Sequence, residues 1–170
     1  MTTDSIAVAK VEKRAKRLKI AMYEPYVFDN LYGNARYAAM YYRFIDKTRF
    51  NPILISPIES ASLEVFGKRD EDWAVVPGPK RLVEFGGRTL AAGPIAKAYT
   101  LMCVFWYTIR LGFYFLRERV DIVQCHHVRA MLTAGFAAKL LGRSLVWYIK
   151  GELEHPRLDR ICFMLADRIL

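Results

Sequence analysis

The sequence is short of acid, cysteine and histidine, and it lacks the loops that mark the commonest nucleotide-binding and hydrolytic enzymes. Three cysteines, Cys103, Cys125 and Cys162, stand among 170 residues, each inside an apolar run. An odd number so placed argues against a disulfide framework and suits buried thiols in a reducing compartment. The first twenty residues hold Lys10, Lys13, Arg14, Lys16, Arg17 and Lys19 with no apolar stretch among them. That is not a secretory signal, and it predicts a cytoplasmic protein, free or at the inner face of a membrane. There is no GxxxxGK[ST] phosphate loop, no GxGxxG after the first apolar run and no GxSxG. These absences weigh against a P-loop enzyme, a standard dinucleotide fold and a serine hydrolase. Nor do Cys, His and carboxylate residues cluster at ligand spacing, so no metal site and no bound cofactor are expected. Seventeen acidic residues face 26 basic ones, a net charge of +9 and a pI near 9.6. The surplus points to an anionic partner: nucleic acid, anionic lipid or a phosphorylated substrate.

What is present belongs to a globular chain, 54% apolar and 25% charged, long enough for one domain. Residues 1–17 read as a basic flexible tail, and the domain begins at Leu18. Five short apolar runs follow: Leu18 to Tyr23, Pro52 to Ser56, Trp73 to Val76, Ile122 to Cys125 and Leu145 to Ile149. They read as strands buried on both faces, hence parallel. Between them, Ala35, Ala38, Ala39, Tyr42 and Ile45 recur at helical spacing over Gly33 to Thr48, with Arg36, Arg43 and Lys47 opposite. A second helix is predicted over Arg129 to Leu141, stopped by Gly142, and a third after Pro156. Strands alternating with helices predict an α/β fold, a Rossmann-like doubly wound parallel sheet over 18–170.

Two regions exceed that plan. Residues 77–94 carry Gly78, Pro79, Gly86, Gly87 and Gly93 and read as a long loop. Residues 95–117 are apolar almost all round, with Trp106 between Phe105 and Tyr107. Lys97 and Arg110 leave only Ala98 to Ile109 uncharged between them, too few for a simple membrane span. The expectation is a helix with one stripe on the sheet and its surplus aromatic surface covered by a partner, another domain or a bilayer interface. At the end of the chain, Ala166 to Leu170 reads as a turn entering a further strand, so the sequence looks like a truncated piece of a larger protein.

In an open parallel sheet, ligands bind beyond the carboxyl ends of the strands. After the first strand come Glu24 and Pro25, then Asp29, Asn30, Tyr32, Gly33, Asn34 and Arg36, where a helix opens and free N–H groups suit a phosphate or a sugar hydroxyl. A turn glycine and a solvated arginine are the bland alternative. After the fourth strand come His126 and His127. Alternation puts Gln124 and His126 on one face, Cys125 and His127 on the other, so one imidazole of the pair faces the crevice. An imidazole there can donate to a substrate oxygen or phosphate; the alternative is a surface histidine without a role. After the fifth strand, Lys150 can pair with a phosphate and Glu152 with a hydroxyl, though both also suit ordinary helix capping.

Asp121 to His127, Arg129 to Gly135 and Leu141 to Trp147, together with Gly33-Asn-Ala-Arg36, resemble the N-terminal half of family 4 glycosyltransferases of GT-B fold. The resemblance implies an acceptor-binding domain, with a nucleotide sugar as co-substrate and a saccharide or lipid-linked acceptor. It implies transfer with retention and without a metal, in a cleft shared with a second, donor-binding domain. It places the Gly33 loop near the donor phosphates, Arg36 by the cleft, and His126 or His127 against the transferred sugar. Tyr32 stands where the family often has another glycine, and Lys150 where many members carry a histidine or another polar residue. The donor domain is absent from these residues, so the fragment alone is expected to transfer little or nothing.

Two other readings stay open. One is a membrane-docking subunit of a split sugar transferase, recruiting a separate catalytic chain and bound through Lys10 to Lys19 and the 95–117 helix. The other is nucleic-acid binding through the basic tail, which the buried strands and the lack of any recognition motif disfavour, so no nucleic-acid partner is expected.

Overall fold

The computed structural model describes residues 17–25, 34–83, 93–149 and 156–170. The apolar runs form strands: β1 (Leu18–Tyr23), β2 (Phe50–Ser56), β3 (Trp73–Val75), β4 (Ile122–Cys125) and β5 (Ser144–Trp147). A sixth, β6 (Arg168–Ile169), forms where the closing turn enters the sheet. All pairings are parallel, in the order β3-β2-β1-β4-β5-β6. β1 sits between β2 and β4, and there the direction of winding reverses. In this architecture such a reversal opens a crevice at the carboxyl ends of the two central strands.

The helices are α1 (Asn34–Phe44), α2 (Lys80–Val83), α3 (Pro94–Arg117), α4 (Val128–Ala130), α5 (Phe136–Leu140) and α6 (Pro156–Leu165), with a 3-10 segment at Ala61–Phe66. Three expectations are corrected. α1 ends at Phe44 rather than Thr48, because the Asp46 carboxylate accepts the Thr48 N–H at 2.9 Å and its hydroxyl at 2.5 Å. A side-chain turn of that kind competes with continued helix. The single helix expected after β4 is broken by a π-helical stretch, Met131–Gly135, between α4 and α5. The presumed loop 77–94 contains α2.

Gly142 ends α5 as expected, with φ 62°. The Gly142 and Arg143 N–H groups donate to the carbonyls of Lys139 and Ala138. α3 closes by the same pattern, with Arg119 and Val120 donating to Leu116 and Phe115, but here an arginine holds the left-handed position at φ 53°.

Two apolar clusters sandwich the sheet. Ile20, Met22 and Leu54 pack under α1 through Ala38 and Tyr42, joined by Leu63, Phe66 and Trp73. On the opposite face, Ala21, Tyr23, Ile55, Val123 and Cys125 pack against Tyr107, Leu111 and Phe115 of α3, the alanine-rich α4–α5 run and Cys162 of α6. Each fully buried Leu, Ile or Phe contributes roughly 1.5–3 kcal/mol. The Tyr107 hydroxyl donates to the Val76 carbonyl at 2.7 Å, tying the middle of α3 to the end of β3.

At the amino end of the sheet the expected basic tail loses one charge. Lys19 lies within β1, its ammonium 2.8 Å from Glu118 and its backbone N–H 2.8 Å from the Asp121 carboxylate. It is spent on joining β1 to the α3–β4 connection. Lys10, Lys13, Arg14 and Lys16 lie outside the described residues.

Candidate functional site

The crevice beyond β1 and β4 collects a buried polar group. Glu24 follows β1 directly, and its backbone N–H donates to the Ile55 carbonyl at 3.0 Å, so the ladder with β2 holds the residue in place. The side chain is 1% exposed. His126 follows β4, equally buried, with Nδ1 3.5 Å from Glu24 Oε2. His127 is 22% exposed on its side chain and places Nε2 3.5 Å from Glu24 Oε1. One carboxylate therefore faces two imidazoles. Both contacts lie just beyond hydrogen-bond length, as catalytic contacts often do before a ligand draws them together.

Around this group, Gln124 sits in β4 on the same face as His126, as strand alternation predicts, and its Nε2 is 3.0 Å from His126 Nε2. Tyr148 enters because its N–H donates to the Cys125 carbonyl at 2.9 Å, which carries it alongside His126. Tyr37 of α1 stacks on Tyr148 with ring centroids 4.9 Å apart. Both rings stand edge-on to His126, at 5.6 and 5.8 Å. Burial first, and then its hydrogen bond with Tyr148, push the Tyr37 phenol well above its ordinary range, so it stays protonated. Burial likewise raises the Cys125 thiol, followed by the nearby Cys162 and Glu24. Cys162 is pushed up to about 12, by burial and then by Asp159. All three cysteines are free and buried, and at neutral pH Cys125 and Cys162 are inert thiols.

Of the residues singled out in the sequence, the structure brings both His126 and His127 onto Glu24, where alternation predicted only one of them; both lie past the end of β4 at Cys125, so the strand's alternation no longer fixes their sides. Arg36 is exposed on α1 and lines a different feature, an open groove of about 920 Å³ shared with Met40, Arg43, Phe44 and Lys47. Its neighbour Tyr37, one step round the helix, is the α1 residue that reaches His126. Asn34 is the first residue of α1. Gly33, Lys150 and Glu152 lie outside the described residues. Among the described residues no group of three His, Cys, Asp or Glu side chains is placed to hold a metal ion.

Sequence reasoning noted Glu24 only as a residue following a strand, put Gln124 on the face of His126 without giving it a role, and missed Tyr37 and Tyr148. The one available signal was a carboxylate placed directly after the apolar run Ile20 to Tyr23. The tyrosines gave none, since aromatic residues in a helix stripe and a strand end read equally well as core.

α3 forms a second feature. Thr100, Cys103, Tyr107, Leu111 and Phe115 pack inward, while Met102, Phe105, Trp106, Ile109, Phe113 and Leu116 face outward and are exposed. The helix carries three cations, Lys97, Arg110 and Arg117, and no acid. Its length and composition would suffice to cross a bilayer, but its inner stripe is fixed to the sheet, so lipid cannot surround it in this fold.

No protein-family model and no curated protein matches the chain. Solved structures do match it. A glycosyltransferase from Rickettsia africae aligns over 84% of this chain and 32% of its own, with a TM-score of 0.54 and 12% identity. MurG from Acinetobacter baumannii aligns over 90% of this chain and 40% of its own, with a TM-score of 0.58 and 12% identity. The chain thus spans 32% and 40% of the length of these two proteins. At that identity the likeness is one of fold, a Rossmann-like α/β domain also found in glycosyltransferases.

Proposed function

We propose that this chain supplies the acceptor-side half of a GT-B glycosyltransferase, which passes a sugar from a nucleotide-sugar donor to a saccharide or lipid-linked acceptor. The observation that carries the reading is a buried carboxylate with two imidazoles at the winding reversal of a Rossmann-like sheet, where such folds bind ligands. His127, the more exposed imidazole, is the group we assign to a sugar or phosphate oxygen. The half-buried rings of Tyr37 and Tyr148 suit the apolar face of a sugar. Transfer proceeds with retention and without a metal, and a second, donor-binding domain or partner chain completes the cleft. The lone half transfers little by itself. His126→Ala and His127→Ala, tested separately for sugar transfer in the complete enzyme, decide the assignment; full activity in both overturns it.

A second reading concerns where the enzyme works and is favoured by α3. We infer that its exposed aromatic face seats in the interface of an anionic bilayer, at the inner face of the membrane. Arg110 and Arg117 contact lipid headgroups, each contributing ~1 kcal/mol. This placement brings the crevice to a lipid-linked acceptor, and it serves equally if the chain docks a separate catalytic subunit. Vesicle co-sedimentation tests it.

A further inference from the structure

We propose that Glu24 is the positioning residue of the site. It takes an N–H from each imidazole, locks His126 in one tautomer beneath the tyrosine pair and turns His127 toward the ligand. The proposal rests on the sugar-transfer reading only for its use, since the geometry and its test involve no sugar.

The argument starts from cost. Both Glu24 oxygens and His126 Nδ1 are buried and make no hydrogen bond of ordinary length among the described residues. A carboxylate removed from water is tolerated only where charge or N–H groups compensate it. A glutamine or an apolar residue would close this strand end without that cost. Among the described residues, what lies near Glu24 is the Cys125 thiol, held neutral by burial, and the two ring nitrogens at 3.5 Å.

The tautomers follow from the neighbours. Gln124 Nε2, which only donates, stands 3.0 Å from His126 Nε2, so with the amide in this orientation that ring nitrogen accepts. The His126 proton is then on Nδ1, directed at Glu24 Oε2. On this proposal the second oxygen takes hydrogen from His127 Nε2, which stands 3.5 Å away. His127 Nδ1 is then the atom turned away from the carboxylate. With Tyr37 and Tyr148 edge-on to its ring, His126 is sealed from solvent, while His127 is not. A carboxylate that orients an imidazole in this way fixes which nitrogen meets the ligand.

The test is nitrogen-15 NMR of the imidazoles, which is tractable because the chain has only His126, His127 and His155. In the wild-type chain His126 is expected in the Nδ1–H form, the minor tautomer of free imidazole, and His127 with hydrogen on Nε2. Glu24→Gln, which keeps the shape, is expected to move both signals, and Glu24→Asp to restore them in part. Carbethoxylation read by mass spectrometry gives an independent measure: His127 is modified, and His126 is protected until Tyr37→Ala opens its cover. His126 found as Nε2–H in the wild type overturns the proposal without any variant having to fold. So do signals unchanged in Glu24→Gln, or equal modification of the two rings. Loss of sugar transfer elsewhere in the account would leave these readouts as they are.

Discussion

Replacing Phe105 and Phe113 by serine removes two aromatic rings from the outer face of α3 and leaves its inner face untouched. Each is 68% exposed, so of the ~200 Å² an aromatic side chain can bury, ~140 Å² is open to a bilayer. At ~25 cal/mol per Å² that area is worth about 3.5 kcal/mol for a ring fully seated in the interface. If half of the area seats, the pair loses about 3.5 kcal/mol together, which is a ~300-fold drop in partitioning. The assay is co-sedimentation with vesicles rich in phosphatidylglycerol at low salt. Wild-type protein should bind and the double variant should not, while thermal unfolding of the two agrees to within ~0.5 kcal/mol because the rings are on the surface. Added salt should weaken wild-type binding through Arg110 and Arg117. Equal binding by the double variant, or no binding by the wild type, refutes the membrane-facing role of α3.

Two further outcomes follow from the fold itself. Arg119→Gly relieves a left-handed arginine at the end of α3 and should raise stability in urea by about 0.5–1 kcal/mol, after the extra backbone entropy of glycine is set against the relief; no gain would deny the strain. Asp167 accepts the Leu145 N–H at 2.8 Å and pairs with Lys139 at 2.5 Å, and its carboxyl is held below the ordinary aspartate range, first by Lys139 and then by that N–H. A lowered carboxyl pKa contributes stability that is present above the unfolded value, near 3.9, and is lost as pH falls through the folded one. Asp167→Asn should therefore reduce stability at neutral pH and flatten its fall below about pH 4, as acid titration of the unfolding midpoint would read it.

The sheet was legible because its strands are short runs of apolar residues buried on both faces, and β1 and β4 were readable to the residue. Helix ends were legible where one residue decides them, as at Gly142. They were not where a side chain two residues further on competes with the helix, as Asp46 does, or where α3 ends on an arginine in a conformation normally given to glycine. The histidine pair could be placed because strand ends are where an open sheet binds ligands. Its partner could not, since Glu24 lies 102 residues before His126 in the chain and is joined to it only by the pairing of β1 with β4. Tyr37 was hidden for a related reason: a helix stripe predicts which side faces inward, not that one tyrosine at its margin will cover an imidazole.

The central claim is that the crevice holding Glu24 and His127 is where a sugar is transferred. It is tested most directly in extracts of cells from which this chain has been deleted, supplied with a panel of labelled nucleotide sugars and read for label in saccharide and lipid fractions. Restoring the wild-type chain should restore one labelled product, and restoring the His127→Ala chain at equal abundance should not. A product that returns in full with His127→Ala, or that never depended on the chain, would contradict the account.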